Sequence, residues 1–244
     1  MKVIANLRFS LIVLLSFSSV ASSQDQTAET VNHGSFSTMM IAAPNVAKYL
    51  ETVKQDVDFF GTIGSAGTGS CVTVSGHEYI GQMMIWNAYP DVQSALKGNA
   101  AYDPTQEAGR RFENLRKVKY VTTWKPLKPF RLDPGYERVQ RVKVPPQNLA
   151  AFVAGMSALE TAIQDGGHDY FFNGVFVPIG GGSHEAATLM VRSVTRDESS
   201  MGMLFDEYFS GTATWAGAFD ALQQAGGTVI SDTFEKCEQF YFGK

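Results

Sequence analysis

Apolar and alternating runs mark strands at residues 35–43, 71–75, 79–88 and 117–127. Helical spacing fills the gaps between them. Pro44-Asn45 opens a helix in which Val46, Leu50, Val53 and Val57 recur. Pro90-Asp91 opens a second that runs through Leu96, and a third covers 105–116. The same programme then runs again, with strands at 136–144, 170–178, 186–194 and 228–242 and helices at 149–164, 197–209 and 215–224. Three points of register tie the two passes together. Both first strands end in a proline-led helix start with Asn45 or Asn148. Both hairpins carry His-Glu, as His77-Glu78 and His184-Glu185. Both third strands lead to a helix headed by Asp91 or Asp197.

Each pass is therefore a β-α-β-β-α-(α)-β unit, which predicts an α+β chain. The expected organisation is a first unit at 35–128, a linker at 129–134 rich in proline, and a second unit at 135–244. Residues 24–34 are small and polar without periodicity and read as a flexible lead-in. Before them, Lys2 and Arg8 precede the apolar run 11–17, and Ala21 and Ser23 stand at the small-residue positions of a cleavage site before Gln24. The run is shorter than the roughly 20 residues that cross a bilayer. Residues 1–23 thus read as a signal peptide, and the expected product is exported, periplasmic or extracellular, with no stable membrane anchor.

Composition narrows the function classes. With 44% hydrophobic and 18% charged residues the chain can bury a core. A net charge of −4 offers no basic excess for phosphates, which argues against a nucleic-acid partner. Two cysteines make neither a disulfide-dense scaffold nor a cysteine-based zinc site. The glycine-rich stretch from Gly61 to Gly69 leads from a helix into a strand, and Gly180-Gly181-Gly182 joins strand to strand. A phosphate loop must instead open a helix, so neither reads as nucleotide-binding. No Ser-His-Asp or Cys-His ordering stands in a motif context.

A βαββαβ unit covers one sheet face with helices and leaves the other bare, so the second unit is the natural partner for that face. In element order and length, and in phrases such as Met83-Met84-Ile85-Trp86 leading to Pro90-Asp91, the chain resembles the dimeric α+β barrel superfamily. This ferredoxin-like group includes antibiotic-biosynthesis-type monooxygenases, EthD-like and NIPSNAP-like proteins. The resemblance spans about residues 35–243 and carries no catalytic signature. It implies two ferredoxin-like units fused in tandem, their antiparallel sheets packed face to face as a pseudo-two-fold barrel. It also places Cys71 and Cys237 on edge strands near a barrel seam, where a disulfide is geometrically possible; two buried free thiols are the alternative reading.

Function in such a barrel is expected in its lumen. The candidate lumen residues are Gln82 and Trp86 on the third strand, Tyr120 and Trp124 on the fourth, and Arg138 and Gln140 on the fifth. Arg192, Glu235 and Tyr241 complete the set from the last strands. Together they make a cavity aromatic in one half and charged in the other, suited to an amphipathic small molecule. Internal pairing of Arg138 or Arg192 with Glu235 or Glu238 accounts for the same residues without a ligand. The histidines read as solvated turn residues, with Glu78 and Glu185 beside them, so no metal site is expected. None stands where haem-binding relatives place an axial ligand, and no cofactor is expected. Three functions follow: an exported protein binding a small aromatic or anionic molecule in the lumen, a cofactor-independent monooxygenase- or cyclase-like enzyme, or a structural module with a packed lumen. Catalysis, ligand identity and oligomeric state stay open at this point.

Overall fold

The computed structural model describes residues 34–102 and 111–243. The expected signal peptide, the lead-in as far as His33, and residues 105–110 of the expected third helix lie outside the described residues; residues 111–115 form turns.

The fold is mixed α+β, built on a closed antiparallel barrel of eight strands. In chain order these are β1 (Ser35–Ala42), β2 (Gly67–Ser75), β3 (Gln82–Tyr89), β4 (Lys117–Pro126), β5 (Tyr136–Lys143), β6 (Phe172–Gly180), β7 (Leu189–Thr195) and β8 (Thr228–Phe242). Around the barrel they run β1-β3-β2-β8-β5-β7-β6-β4, and β4 closes on β1. The first four strands form one arc and the last four another, and the arcs join at β2–β8 and β4–β6. Closure leaves no free sheet edge.

Helices cover the outside of each arc. The first carries α1 (Val46–Lys54), α2 (Phe59–Thr62) and α3 (Val92–Ala101), and the second carries α4 (Leu149–Asp165), α5 (Glu198–Ser210) and α6 (Ala216–Gln224). Their starts are set by side-chain caps. Asn45, Asp91 and Asp197 accept the backbone N–H of Lys48, Ser94 and Ser200 at 3.0, 2.6 and 2.8 Å. Gly211 ends α5 in the left-handed conformation.

Strand alternation sorts the apolar residues into three cores. One lies between the first arc and its helices, around Ile41, Tyr49, Val53, Phe60, Met83 and Ile85. A second lies between the other arc and α4–α6, around Phe152, Met156, Leu159, Val175 and Trp215. The third is the barrel interior, with Phe36, Met40, Met84, Trp86, Trp124, Val139, Phe176 and Met190. An eight-stranded barrel is just wide enough for side chains to meet across it, and these pack together there. Phe36 stacks on Trp124 and meets Phe176 edge-on. Trp86 lies across Gly69 so closely that a Cβ there would come 2.3 Å from its ring.

Candidate functional site

Within the barrel interior the apolar residues give way to a charged cluster. Arg192 donates to Glu137 through Nε and Nη2 at 2.6 and 2.5 Å, and both are buried. Arg141 stacks on Trp124 and donates to Glu185 through Nε and Nη2 at 2.7 and 2.9 Å. Tyr120 Oη donates to the same carboxylate at 2.7 Å. Glu235 sits nearby; Thr233 Oγ1 reaches its Oε1 at 3.3 Å, and its Oε2 has no hydrogen-bond partner among the described residues. Burial pushes the Glu235 carboxyl up to about 7, against the pull of Arg192 and Arg141 and with the push of Glu137. A disulfide joins Cys71 and Cys237 directly across β2 and β8, and Arg192 Nη2 lies 3.5 and 3.6 Å from the two sulfurs.

The structure thus sets Gln82, Trp86, Tyr120, Trp124, Arg192 and Glu235 on inward strand faces. It corrects the placement of the other three lumen candidates. Arg138 and Gln140 point outward, where Arg138 makes a two-nitrogen pair with Asp232 and stacks on Phe205, and Gln140 joins the same carboxylate. On β5 both faces carry charge, and the inward phase is Glu137, Val139 and Arg141 instead. Tyr241 also lies outside, against Phe60 of α2. The β2–β8 register slips between Thr68 and Gly69, so one extra residue on β8 reverses the facing after Gln239. Glu185 was expected in a solvated turn, yet it is buried beneath its hairpin because Arg141 and Tyr120 satisfy it. Its neighbour His184 is exposed and stacks on Tyr120.

Apolar side chains pack together in the barrel interior, and open space also lies on the other side of the sheet. A cavity of about 470 Å³ separates the outward face of β1, β3 and β4 from α1, α2 and α3. Six aromatic side chains wall it: Tyr49, Phe59, Phe60, Tyr89, Tyr102 and Phe112. Asn87 and Asn99 bring amides, and Arg116 brings a guanidinium. Asn87 Oδ1 accepts from Thr68 Oγ1 at 2.8 Å, and Asn99 Nδ2 donates to Thr123 Oγ1 at 2.9 Å, so both amides are held by the sheet. Arg116 donates to the hydroxyls of Tyr49 and Tyr102 at 2.8 and 2.5 Å. Its guanidinium stacks 4.9 Å from the Phe112 ring centre. The Tyr89 hydroxyl is buried against Gly98, where a Cβ would come within 2.4 Å of it, and has no hydrogen-bond partner among the described residues. Burial pushes both Tyr49 and Tyr89 up to about 12, so each stays a neutral phenol.

None of these cavity residues is among the candidate site residues that the sequence offers. Asn87 follows Trp86 on β3 and points the opposite way, into the cavity. A second, more open space of about 830 Å³ lies at one barrel mouth, floored by Phe36, Ala88 and Phe176 and walled by Phe130, Arg131 and Phe172. Beside it Lys128 is held in a buried pair with Glu160 at 2.7 Å.

No protein-family model matches the chain. No curated protein sequence matches it either. Solved structures do resemble it. A protein described as anthrone oxidase-like superposes with TM-score 0.52 at 11% identity, covering 85% of this chain and 94% of that one. A monooxygenase-like protein from Lactobacillus acidophilus NCFM gives TM-score 0.54 at 9% identity, over 87% and 96% of the two chains. A mutant chlorite dismutase from Candidatus Nitrospira defluvii gives 0.50 at 10% identity, over 85% and 92%. Likeness at this identity establishes a shared fold, an α+β barrel common to monooxygenase-like and chlorite dismutase proteins.

Among the described residues, neither cavity has a histidine in its wall. His168 bonds Glu207 beyond the end of α4, His184 stacks on Tyr120, and His77 lies in the turn after β2. The cavity residues do not fit a histidine-ligated haem.

Proposed function

We propose that the protein binds a small planar aromatic molecule in the cavity beneath α1–α3 and oxidises it with molecular oxygen, without a cofactor. The observation that carries the binding half is the wall of six aromatic rings around about 470 Å³, with a few fixed polar groups among them. This is the composition of a small-molecule pocket. The unpartnered Tyr89 hydroxyl supports the reading, since a buried hydroxyl is costly unless something hydrogen-bonds it.

The oxidative half rests on the shared fold with proteins described as anthrone oxidase-like and monooxygenase-like. In such a reaction an activated methylene loses a proton, its carbon donates electrons to O2, and water leaves as a carbonyl forms. One O2 is consumed per water released, and the substrate is the only reductant. Asn87, Asn99 and Tyr89 would orient the substrate's oxygen atoms, and the rings would exclude water from the anion. The test is oxygen uptake with anthrone as probe. The expected result is anthraquinone formation about 10²-fold above the spontaneous rate, lost when Val121→Trp fills the cavity. A rate equal to the spontaneous one contradicts the oxidative half.

Two further parts of the reading concern the chain as a whole. We propose that the arcs are tandem ferredoxin-like units, 35–128 and 135–244, because each has strand order fourth-first-third-second and helices on one face only. We also propose export, on the leader pattern of residues 1–23 together with a disulfide between residues 166 apart, a bond that persists in oxidising compartments.

A further inference from the structure

We infer that the molecule taken by this cavity is an aromatic acid, seated with its carboxylate on Arg116. The inference rests on the reading of the cavity as an aromatic-ligand site and adds the ligand's charge to it.

Arg116 stands apart from the other buried bases. Lys128 pairs with Glu160, Arg141 with Glu185 and Arg192 with Glu137. Arg116 is 9% exposed, and among the described residues no carboxylate lies within ion-pair distance of it. Its two partners are tyrosine hydroxyls, and its stacking partner is Phe112. Neutral phenols and ring faces ease a buried cation without cancelling its charge, and an uncompensated buried charge is expensive. Arg111, also in the wall, has Asp56 at 3.5 Å.

The guanidinium keeps donors free for an anion. A guanidinium carries five N–H donors, of which the phenols take two. The remaining donors form a planar fork that matches a carboxylate. Tyr49 and Tyr102 hold that fork rigid at the wall, while the rings of Phe59, Phe60 and Phe112 line the space beside it. A flat apolar body ending in a carboxylate satisfies both halves of the wall at once.

Isothermal titration at neutral pH with three probes of one shape tests this: 2-naphthoate, 2-naphthamide and 2-naphthol. The expected result is 2-naphthoate binding about tenfold or more tighter than the neutral amide, as a charge-assisted pair requires. In Arg116→Gln that preference falls to about one while the amide still binds, and Arg116→Lys, the reserve if the glutamine variant fails to fold, keeps only part of it. Equal affinities for acid and amide overturn the inference, as does a preference that survives Arg116→Gln. Tightest binding by 2-naphthol, strengthening as it ionises, overturns it in favour of a phenolate seat. No binding by any probe overturns the aromatic-ligand reading itself.

Discussion

Cys71 and Cys237 face each other across β2 and β8, and their bond crosses a seam where the two arcs of the barrel meet. A link between residues 166 apart, in a chain of 244, closes a long loop in the unfolded state. Reduction, or Cys71→Ala with Cys237→Ala, is expected to cost about 2–5 kcal/mol of stability in a denaturant titration. The intact mass should rise by about two daltons on reduction, one hydrogen per sulfur. An unchanged mass contradicts the bond.

Glu235 makes stability depend on pH in an unusual direction. Its carboxyl moves from 4.5 up to about 7 on burial, so the folded state holds the proton more tightly than the unfolded chain does. The contribution is fully present below pH 4.5, declines as pH rises, and is gone above about 7. At about 1.4 kcal/mol per pH unit the difference is about 3 kcal/mol. Denaturation midpoints across this range should show the decline, and Glu235→Gln should flatten it. A midpoint in the wild type that does not fall with pH over this window contradicts the assignment.

The two arginines of neighbouring strands should behave very differently. Arg138 pairs with Asp232 at the surface, and Arg138→Ala is expected to cost less than about 1 kcal/mol. Arg192→Ala strands the buried Glu137 carboxylate and is expected to cost about 3–5 kcal/mol. Thermal melts of the two variants check the contrast. Equal losses contradict the facing assigned to β5.

Tyr89→Phe separates stability from binding. Removing an unpartnered buried hydroxyl should leave stability unchanged or raise it by about 1 kcal/mol. The same change should weaken an aromatic ligand with a polar edge by about tenfold. Loss of stability with unchanged affinity places the hydroxyl outside the ligand's reach.

Strand pattern and turn residues carried the fold: the alternating runs, the caps at Asn45, Asp91 and Asp197, and the hairpin turns lead to eight strands with helices outside. Facing was harder to read. β5 bears charge on both faces and valines at 139 and 142 on opposite sides, so alternation alone does not choose between Arg138 and Arg141. The slip on β8 that turns Tyr241 outward leaves no mark in the residues themselves. The cavity was hidden for another reason. Tyr49 and Val53 have the spacing of a helix packed on a core, and periodicity is the same whether a face meets side chains or open space. Arg116 sits in a run with Arg110, Arg111, Lys117 and Lys119, where nothing distinguishes a buried base from solvated ones.

The central claim is where a ligand sits: beneath α1–α3 and not within the barrel interior. Methyl-labelled protein titrated with 2-naphthamide, followed by proton–carbon correlation spectra, tests this most directly. The account predicts shifts at the methyls of Val53, Ile63, Ile85 and Val121, which line the cavity, with Met84, Val139 and Met190 inside the barrel unmoved. Shifts confined to Met84, Val139 and Met190 would contradict it.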